Sequence, residues 1–453
     1  MRKGNLLENG NIKVGFVSLG CSKNLVDTEV MLYRLNEAGY SITADETEAD
    51  VVIINTCAFI ESAKTEAIDN ILDIAWLKEN RSLRGIVVTG CLAERYRGEL
   101  LESMPEVDAV LGVGSIQRIA EAVAAVLRGE KFSGFDDKEE VELGQSRIVT
   151  TGDAYAYLKI AEGCSNRCTY CAIPSIRGRM RSRTMESIVA EARELCDMGI
   201  KELCIIAQDT TSYGIDLYGR LALSELLEKL LAETDFPWIR LLYLYPDRIT
   251  DRLLSVIRDN PRILPYFDIP VQHISDTVLK RMNRRGDGAT VREALAKIRR
   301  EIPGAVLRTT VIVGFPGETD EDFTELCEFV KETEFDRFGA FTFSREEGTP
   351  AYDFEDQIDA QTAQNRYDIL MAAQLEITAA KNEAKIGEEL DVLCEGFDTV
   401  AECFYGRSAA DAPEVDGKVY FRLPEASDRP NQGDFVRVRI TEAMDYDLVG
   451  EML

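Results

Sequence analysis

Residues 162–178 read EGCSNRCTYCAIPSIRG and place Cys164, Cys168 and Cys171 in the pattern CxxxCxxC. The segment follows the apolar stretch AYLKIA, which is predicted to be a strand, so the three thiols lie in the loop at its carboxyl end. A structural zinc site needs four protein ligands, and no second CxxC lies nearby. Three thiolates suit an iron-sulfur cluster with one iron left open. A zinc site and three buried core cysteines remain as alternatives.

The block from 150 to 384 repeats a strand followed by a helix about six times. Its strand patterns are AYLKIAEG, LCIIAQDT, WIRLLYLYP, YFDIPVQH, LRTTVIVGFPGE and RFGAFTFS, and a long helix over 358–384 closes the block. Six such units predict a partial TIM-like (β/α)6 barrel, whose site would lie at the carboxyl ends of its strands.

The block from 11 to 128 alternates short apolar runs with helical patterns, which predicts an amino-terminal parallel αβ domain. Cys21 follows the run VGFVSLG, Cys57 follows VVIIN, and Cys91 follows IVVTG. Because parallel strands end at the same edge of a sheet, these cysteines can converge there. They are predicted to hold a second three-thiolate cluster, and burial as ordinary core residues is the alternative.

The remaining segments complete a multidomain α/β chain. Residues 129–149 are acidic and weakly apolar, which predicts a linker or an exposed excursion. Residues 385–453 alternate short apolar strands with Gly, Pro and Asp, which predicts a small antiparallel β-barrel of the OB-like kind.

Charge limits the choice of partner. The chain carries a net charge of −28, and residues 381–453 contain 8 basic and 17 acidic residues, a net charge of −9. Such a protein repels phosphate backbones and attracts basic polypeptides, so charge disfavours tRNA and favours a basic protein as the partner. Carboxylates of the tail, for example Asp411, Glu414 and Asp416, are predicted to dock that protein. A merely well-solvated acidic surface is the alternative.

The amino-terminal residues MRKGNLLENG lack the apolar core of a signal peptide, and no run of eighteen or more apolar residues could span a bilayer. We therefore expect a cytoplasmic protein with no membrane partner. In that reducing compartment clustered cysteines are metal ligands or redox groups rather than disulfides.

The CxxxCxxC loop, with the aromatic Tyr170 before its last cysteine, resembles the signature of the radical S-adenosylmethionine superfamily. Several segments are similar to the methylthiotransferases of that superfamily: SLGCSKNLVDTE, NTCAFIESAK, VTGCLAERY, PVQHISDTVLKRMNR and IVGFPGET. The resemblance covers essentially the whole chain and implies a cluster domain, a radical-SAM domain and a carboxyl-terminal TRAM domain. It further implies two 4Fe-4S clusters, one held by Cys21, Cys57 and Cys91, and the other by Cys164, Cys168 and Cys171. S-adenosyl-L-methionine would be both radical source and methyl donor, and an electron donor and a sulfur donor would be needed.

The contexts GCSKN and NTCAFI resemble the RimO branch, which methylthiolates the β-carbon of an aspartate in small-subunit ribosomal protein twelve. The MiaB-like branch, which modifies tRNA adenosine, is the alternative, and a cysteine-rich zinc scaffold is a third reading from a different class. The iron content of the protein distinguishes the two enzyme hypotheses from the zinc scaffold. The two enzymes are distinguished by whether the ribosomal protein or the tRNA gains mass.

The resemblance to radical-SAM enzymes also suggests cofactor contacts. Tyr170, Gln208, Gly314 and Glu318 are the candidate residues for S-adenosylmethionine, although Ala207-Gln208-Asp209 departs from the Gly-Gly-Glu that many radical-SAM enzymes carry there. His273, the only histidine, is predicted to be a structural residue, and no catalytic residue is assigned. The other five cysteines show no ligand spacing and are predicted to lie in the core: Cys196, Cys204, Cys327, Cys394 and Cys403.

Overall fold

The computed structural model describes residues 12–424 and 427–453, so the MRKGNLLENG segment lies outside the described residues. The described chain forms two compact units. The first unit contains the described residues up to Thr150 together with Ala161–Arg181 and Ser344–Thr349, and the second contains Thr151–Ile160, Ser182–Phe343 and the described part of Pro350–Leu453. Across 12–424 and 427–453, no helix combines the length and apolar character needed to cross a bilayer.

The first unit is built on a six-stranded parallel sheet with the strand order β2-β1-β3-β4-β5-β6. Its elements up to Thr150 are β1 (Lys13–Ser18), α1 (Ser22–Glu37), β2 (Ser41–Thr43), β3 (Val51–Thr56), α2 (Glu61–Asn80), β4 (Gly85–Gly90), α3 (Cys91–Tyr96), α4 (Gly98–Ser103), β5 (Ala109–Leu111), α5 (Ile119–Leu127) and β6 (Phe132–Gly134). Two 3-10 helices, Glu46–Glu48 and Val113–Arg118, lie between them.

Burial on both faces explains why the central strands are apolar throughout. In β3, Val52 and Ile54 pack in one hydrophobic cluster, and Val51 and Ile53 pack in another. Alternate side chains of a strand point to opposite faces, so helices must cover both sides of this sheet. The parallel αβ domain predicted from the apolar runs is confirmed.

The structure differs from the predicted linker over 129–149. Residues Phe132–Gly134 form β6, which pairs in parallel with β5 at the edge of the sheet. Just beyond it, the backbone N–H of Asp136 donates to Ser115 Oγ at 2.8 Å. The first part of this acidic stretch is therefore held by the sheet, because backbone pairing and a serine hydroxyl supply the contacts that its weakly apolar side chains do not.

The chain then continues through β7 (Tyr155–Lys159), β8 (Ala161–Glu162), α6 (Ile173–Arg177), β9 (Arg181–Ser182), α7 (Met185–Asp197), β10 (Glu202–Ile206), α8 (Ile215–Tyr218), α9 (Leu223–Glu233), β11 (Trp238–Leu241), α10 (Asp251–Arg258), β12 (Tyr266–Asp268), α11 (Asp276–Arg281), α12 (Gly288–Glu301), β13 (Val306–Val313), α13 (Asp320–Thr333), β14 (Arg337–Thr342) and α14 (Ala360–Glu383). The 3-10 helices here are Thr210–Ser212, Pro246–Arg248 and Pro350–Asp353.

In the second unit, six strands form two parallel three-stranded sheets, β11-β10-β7 and β12-β13-β14. A parallel bridge between Ile239 and Ile263 connects β11 to the chain that leads into β12. The backbone N–H of Ile239 donates to the Arg262 carbonyl at 2.7 Å, which closes the gap between the sheets. This arrangement confirms the predicted partial (β/α)6 barrel.

The carboxyl-terminal strands also belong to the second unit and form a closed barrel in the order β15-β16-β17-β19-β18. They are β15 (Glu389–Asp398), β16 (Cys403–Ser408), β17 (Val419–Arg422), β18 (Phe435–Ala443) and β19 (Leu448–Met452). The β17 and β19 strands run parallel, and the other neighbours are antiparallel. Inward-facing residues such as Val392, Phe421 and Ile440 fill the barrel. The predicted small barrel is confirmed.

The prediction that Asp411, Glu414 and Asp416 dock an external basic protein is wrong for Asp411 and Asp416, whose side chains are buried. Each carboxylate contacts a residue of the (β/α)6 barrel within the second unit: Asp411 pairs with Arg337, Glu414 accepts hydrogen bonds from Tyr155 and Tyr157, and Asp416 accepts one from Tyr266. Asp411 and Asp416 are therefore used inside the molecule, whereas Glu414 stays exposed beside its tyrosines and its docking role stays a prediction. A charge count along the sequence could not separate buried carboxylates from exposed ones.

A buried ion network also joins the small carboxyl-terminal barrel to the (β/α)6 barrel. Arg407, which is 1% exposed, lies 2.7 Å from Glu202 and 2.6 Å from Glu395. Glu202 is also paired with Arg240 at 2.5 Å. Burial raises the pKa of Glu202, but the two guanidinium groups outweigh burial and hold that pKa below its usual value. The network thus ties the small barrel to the larger one.

Candidate functional site

Three cysteines of the first unit lie at the carboxyl ends of adjacent strands. Cys21 caps α1 after β1, Cys57 follows β3 directly, and Cys91 opens α3 after β4. The sheet places β1, β3 and β4 side by side, so the three loops share one edge. Cys21 is exposed, Cys57 is half-buried and Cys91 is buried. The trio therefore extends from solvent into the protein interior.

Two glycines allow these loops to approach one another. A Cβ at Gly20 would lie 2.8 Å from the Cβ of Cys57, and a Cβ at Gly90 would lie 2.3 Å from Asn55 Oδ1. Both glycines also have a positive φ, +92° and +91°, which other residues rarely adopt. The residue before Cys21 and the residue before Cys91 must therefore be small and conformationally free.

Two buried asparagines fix the backbone around the trio. Asn24 Nδ2 donates to the carbonyls of Leu19 and Thr56, at 3.0 Å each. Asn55 Nδ2 donates to the Asn24 carbonyl at 2.7 Å. These amides connect the loop of Cys21 with the loop of Cys57. Neither asparagine was singled out from the sequence, although both lie within the motifs GCSKN and INTC.

Burial controls the protonation of two of these thiols. Burial raises the pKa of the Cys91 thiol to about 12, and the Arg177 guanidinium opposes the rise. Burial also raises the pKa of Cys57. A buried thiol becomes a thiolate only when positive charge compensates it, and a metal centre supplies such charge.

The CxxxCxxC loop belongs to the same unit as the trio. Its backbone folds back on itself, because the Cys164 N–H donates to the Gly178 carbonyl and the Cys171 N–H donates to the Cys168 carbonyl, both at 3.1 Å. Cys164 and Cys168 are buried, and Cys171 and Tyr170 are half-buried. The structure thus brings all six candidate ligands into the first unit, although the sequence placed one trio in each of two domains.

The donor chemistry of the six residues fits iron-sulfur clusters, whose usual ligands are cysteine thiolates. Among the residues that the structure describes, no three His, Cys, Asp or Glu side chains are arranged to coordinate a single metal ion. Assignment of the six cysteines as cluster ligands stays a prediction.

The four arginines of the run IRGRMRSR have different surroundings. Arg177 is buried among side chains of the first unit, and Arg179 is exposed and pairs with Glu139 at 2.8 Å. Arg181 donates to the carbonyls of residues 139 and 141. In the second unit, Arg183 pairs with Glu191 at 2.5 Å. Of the run, only Arg177 approaches a candidate cluster ligand.

The other candidate cofactor residues lie in the second unit at strand ends. Gln208 follows β10, and the neighbouring Asp209 caps the 3-10 turn by accepting from the Ser212 N–H at 3.1 Å. Gly314 follows β13, and a Cβ there would lie 2.5 Å from the Cβ of Ala363 on α14. Close helix packing alone therefore requires this glycine. A contact between these residues and S-adenosylmethionine stays a prediction.

Glu318 and His273 are both buried. Glu318 Oε2 accepts from the Phe315 N–H at 3.0 Å, and burial raises its pKa to about 7 against the opposing charge of Arg366. Through this hydrogen bond the carboxylate stabilises the loop to which it belongs. His273 Nδ1 accepts from the Ser275 N–H at 3.0 Å, and burial lowers its pKa to about 4. A neutral, hydrogen-bonded imidazole is what the predicted structural role requires.

Comparison with protein families matches three consecutive regions. Residues 13–112 match the uncharacterized protein family UPF0004, residues 158–330 match the radical SAM superfamily, and residues 386–453 match the TRAM domain. A relative from Geobacter sulfurreducens, the ribosomal protein uS12 methylthiotransferase RimO, is 49% identical over 450 residues, which cover 99% of this chain and all of the relative. This chain belongs to the RimO methylthiotransferase family.

Other members of the RimO family agree with this assignment. The RimO protein of Caldanaerobacter subterraneus subsp. tengcongensis is 50% identical over 439 residues, which cover 97% of this chain and 99% of the relative. The chain is accordingly a radical S-adenosylmethionine methylthiotransferase, and the radical-SAM family implies a 4Fe-4S cluster and S-adenosylmethionine.

Solved structures share the fold of this RimO family member at low sequence identity. The radical S-adenosylmethionine methyltransferase TsrM from Kitasatospora setae, with cobalamin and a [4Fe-4S] cluster bound, gives a TM-score of 0.53 at 15% identity and covers 75% of this chain and 74% of its own. The same enzyme with tryptophan and a SAM analogue gives 0.55 at 12% identity, with 81% and 89% covered. This likeness concerns the fold alone.

Proposed function

We propose that this enzyme methylthiolates the β-carbon of an aspartate in ribosomal protein uS12. It would use two 4Fe-4S clusters, an auxiliary cluster on Cys21, Cys57 and Cys91 and a radical-SAM cluster on Cys164, Cys168 and Cys171. The observation that carries the proposal is the presence of both cysteine trios in one compact unit. Sulfur insertion at an unactivated carbon needs radical generation and a sulfur source, and two separate cysteine sites supply one place for each.

When bound, the two clusters would supply the sulfur and the electron that cleaves S-adenosylmethionine, and S-adenosylmethionine would supply the deoxyadenosyl radical that abstracts hydrogen and the methyl group. The protein's residues hold and orient them. Gly20 and Gly90 let the three auxiliary loops approach, and Asn24 and Asn55 lock those loops together. The hydrogen bond from Cys164 to Gly178 closes the second loop.

The names of the relatives and the charge of the chain both favour a basic protein substrate. The relatives at 49% and 50% identity are named as uS12 methylthiotransferases. The net charge of −28 attracts basic polypeptides and repels nucleic-acid phosphates. We further infer that an external electron donor and a sulfur donor serve the reaction, in the cytoplasm where ribosomal proteins are made.

The substrate is tested by anaerobic incubation of the reconstituted enzyme with S-adenosylmethionine, a reductant and either purified uS12 or bulk tRNA. We expect intact uS12 to gain about 46 daltons, the mass of sulfur plus a methylene, and fragment spectra to place the gain on one aspartate. Deuterium at the β-carbon of aspartate should pass into 5′-deoxyadenosine, whereas deuterium at the α-carbon serves as the control. Unchanged uS12 beside methylthiolated tRNA would transfer the enzyme to the tRNA-modifying class.

A further inference from the structure

Arg177 connects the two cysteine sites of the first unit. It is the last residue of α6 and follows Cys171 by six positions, so the CxxxCxxC loop carries it directly. Its side chain is only 3% exposed. A guanidinium group is rarely buried unless neighbouring acceptors compensate its charge. The identity of those acceptors indicates what the residue does.

Both ends of the guanidinium contact residues around the auxiliary trio. Nη1 lies 2.6 Å from Asp27 Oδ2 and 3.2 Å from Glu162 Oε2. Nη2 donates to Asn24 Oδ1 and lies 3.6 Å from Cys91 Sγ. Asp27 and Asn24 belong to α1, immediately after Cys21. The carboxylates fix the guanidinium so that one N–H points at the sulfur of a candidate cluster ligand.

We propose that Arg177 is a positioning residue that raises the reduction potential of the auxiliary cluster through its N–H contact with Cys91 Sγ. This inference rests on the proposed function, because it requires Cys91 to ligate that cluster. An N–H donor at a ligating sulfur stabilises the added electron of the reduced cluster, and burial strengthens the effect by excluding water. A residue carried by the radical-SAM loop thereby sets the redox state of the site that delivers sulfur.

The structural alternative is an ion pair that only holds α6 against α1. The two readings differ in a property that stability does not control, the midpoint potential of a fully loaded cluster. An Arg177→Met/Asp27→Asn double variant removes one positive and one negative charge, so it leaves the net charge unchanged while it removes every N–H donor of the Arg177 side chain. Replacement of a buried ion pair by neutral groups of similar volume is often tolerated, but this variant also removes the guanidinium beside the buried Glu162. Arg177→Lys keeps a cation there, so it preserves the test if the double variant does not fold.

The experiment uses the full chain with Cys164, Cys168 and Cys171 replaced by alanine, reconstituted anaerobically so that only the auxiliary cluster is present. Redox titration followed by electron paramagnetic resonance gives its midpoint potential in four versions: the parent, Arg177→Lys, the double variant, and Arg179→Gln. Arg179→Gln is the control, since Arg179 belongs to the same run of arginines but is exposed and forms its ion pair with Glu139.

We expect the ratio of reduced to oxidised cluster at a fixed potential to fall at least tenfold in the double variant, which equals a fall of about 59 mV in the midpoint potential of a one-electron couple. Arg177→Lys should give a smaller fall, because lysine keeps the charge but not the planar fork. Arg179→Gln should match the parent. Equal potentials in the parent, Arg177→Lys and the double variant, all with the same iron content, would overturn the inference and leave the proposed function standing. A parent that binds no cluster would instead refute the auxiliary-ligand assignment itself.

Discussion

Substitution of Arg407 by methionine tests whether the small barrel is fixed to the (β/α)6 barrel by its buried ion network. Arg407 lies among Glu202, Glu395 and the carbonyl of Asp411, and its side chain is 2% exposed. Removal of one partner from a buried ion pair costs about 3–5 kcal/mol. Because Arg240 remains 2.5 Å from Glu202, we expect the lower end, about 3 kcal/mol.

For a unit of this size, each kcal/mol lowers the melting temperature by about 2–4 °C, so Arg407→Met should melt about 6–12 °C below the wild type. Scanning calorimetry of the full apo chain at fixed protein and salt concentration measures the shift. Arg437→Met is the matched control, since Arg437 is 47% exposed where it pairs with Asp391 on the barrel surface. It should melt with the wild type. Equal melting temperatures for the two variants would refute the buried-network account.

The remaining predictions concern the sites and the same network. Cys168→Ala should abolish 5′-deoxyadenosine production, measured by chromatography, because the radical-SAM cluster would lose one of three ligands; retained production would remove Cys168 from the ligand set. Cys57→Ala should lose about half of the iron and all methylthiolation but still cleave S-adenosylmethionine, and a variant that keeps its iron would make the amino-terminal trio ordinary core. Gly20→Ala should lower auxiliary iron content, because its Cβ would lie 2.8 Å from the Cβ of Cys57, whereas Gly98→Ala, with nothing within 4 Å, should not. Since the folded pKa of Glu202 lies below its unfolded value, the stability gap between wild type and Arg407→Met should be full above about pH 4.3 and shrink as pH falls through the lower folded value; a gap that grows on acidification would contradict this assignment.

The strands were predictable where local pattern and burial agree. The run VVIIN is apolar because β3 is covered on both faces, and such a run is visible without any structure. The strand β6 was missed because it has three residues, lies at the edge of the sheet and carries the sequence FSG, which has little apolar character. Backbone pairing with β5 sets its position, and because backbone pairing does not require particular side chains, the sequence does not reveal it.

The cysteines of the trio were predictable because parallel topology alone brings strand ends together. Arg177 was visible only as one of four arginines in a run, and its partner Asp27 lies 150 residues away along the chain. The same reason defeated the docking prediction, since Asp411 pairs with Arg337 from 74 residues away. The sequence shows that a residue carries a negative charge, but only the fold shows whether that carboxylate is exposed to solvent or paired with a distant arginine.

The most direct test of two separate clusters is a quantitative iron measurement with Mössbauer spectroscopy on three anaerobically reconstituted proteins. The wild type should bind about eight irons per chain, and a Cys21, Cys57 and Cys91 triple alanine variant should bind about four, as should the corresponding variant of Cys164, Cys168 and Cys171. All three samples should show only the signature of 4Fe-4S clusters. A wild type with four irons, or a triple variant that still binds eight, would contradict the account of two cysteine sites.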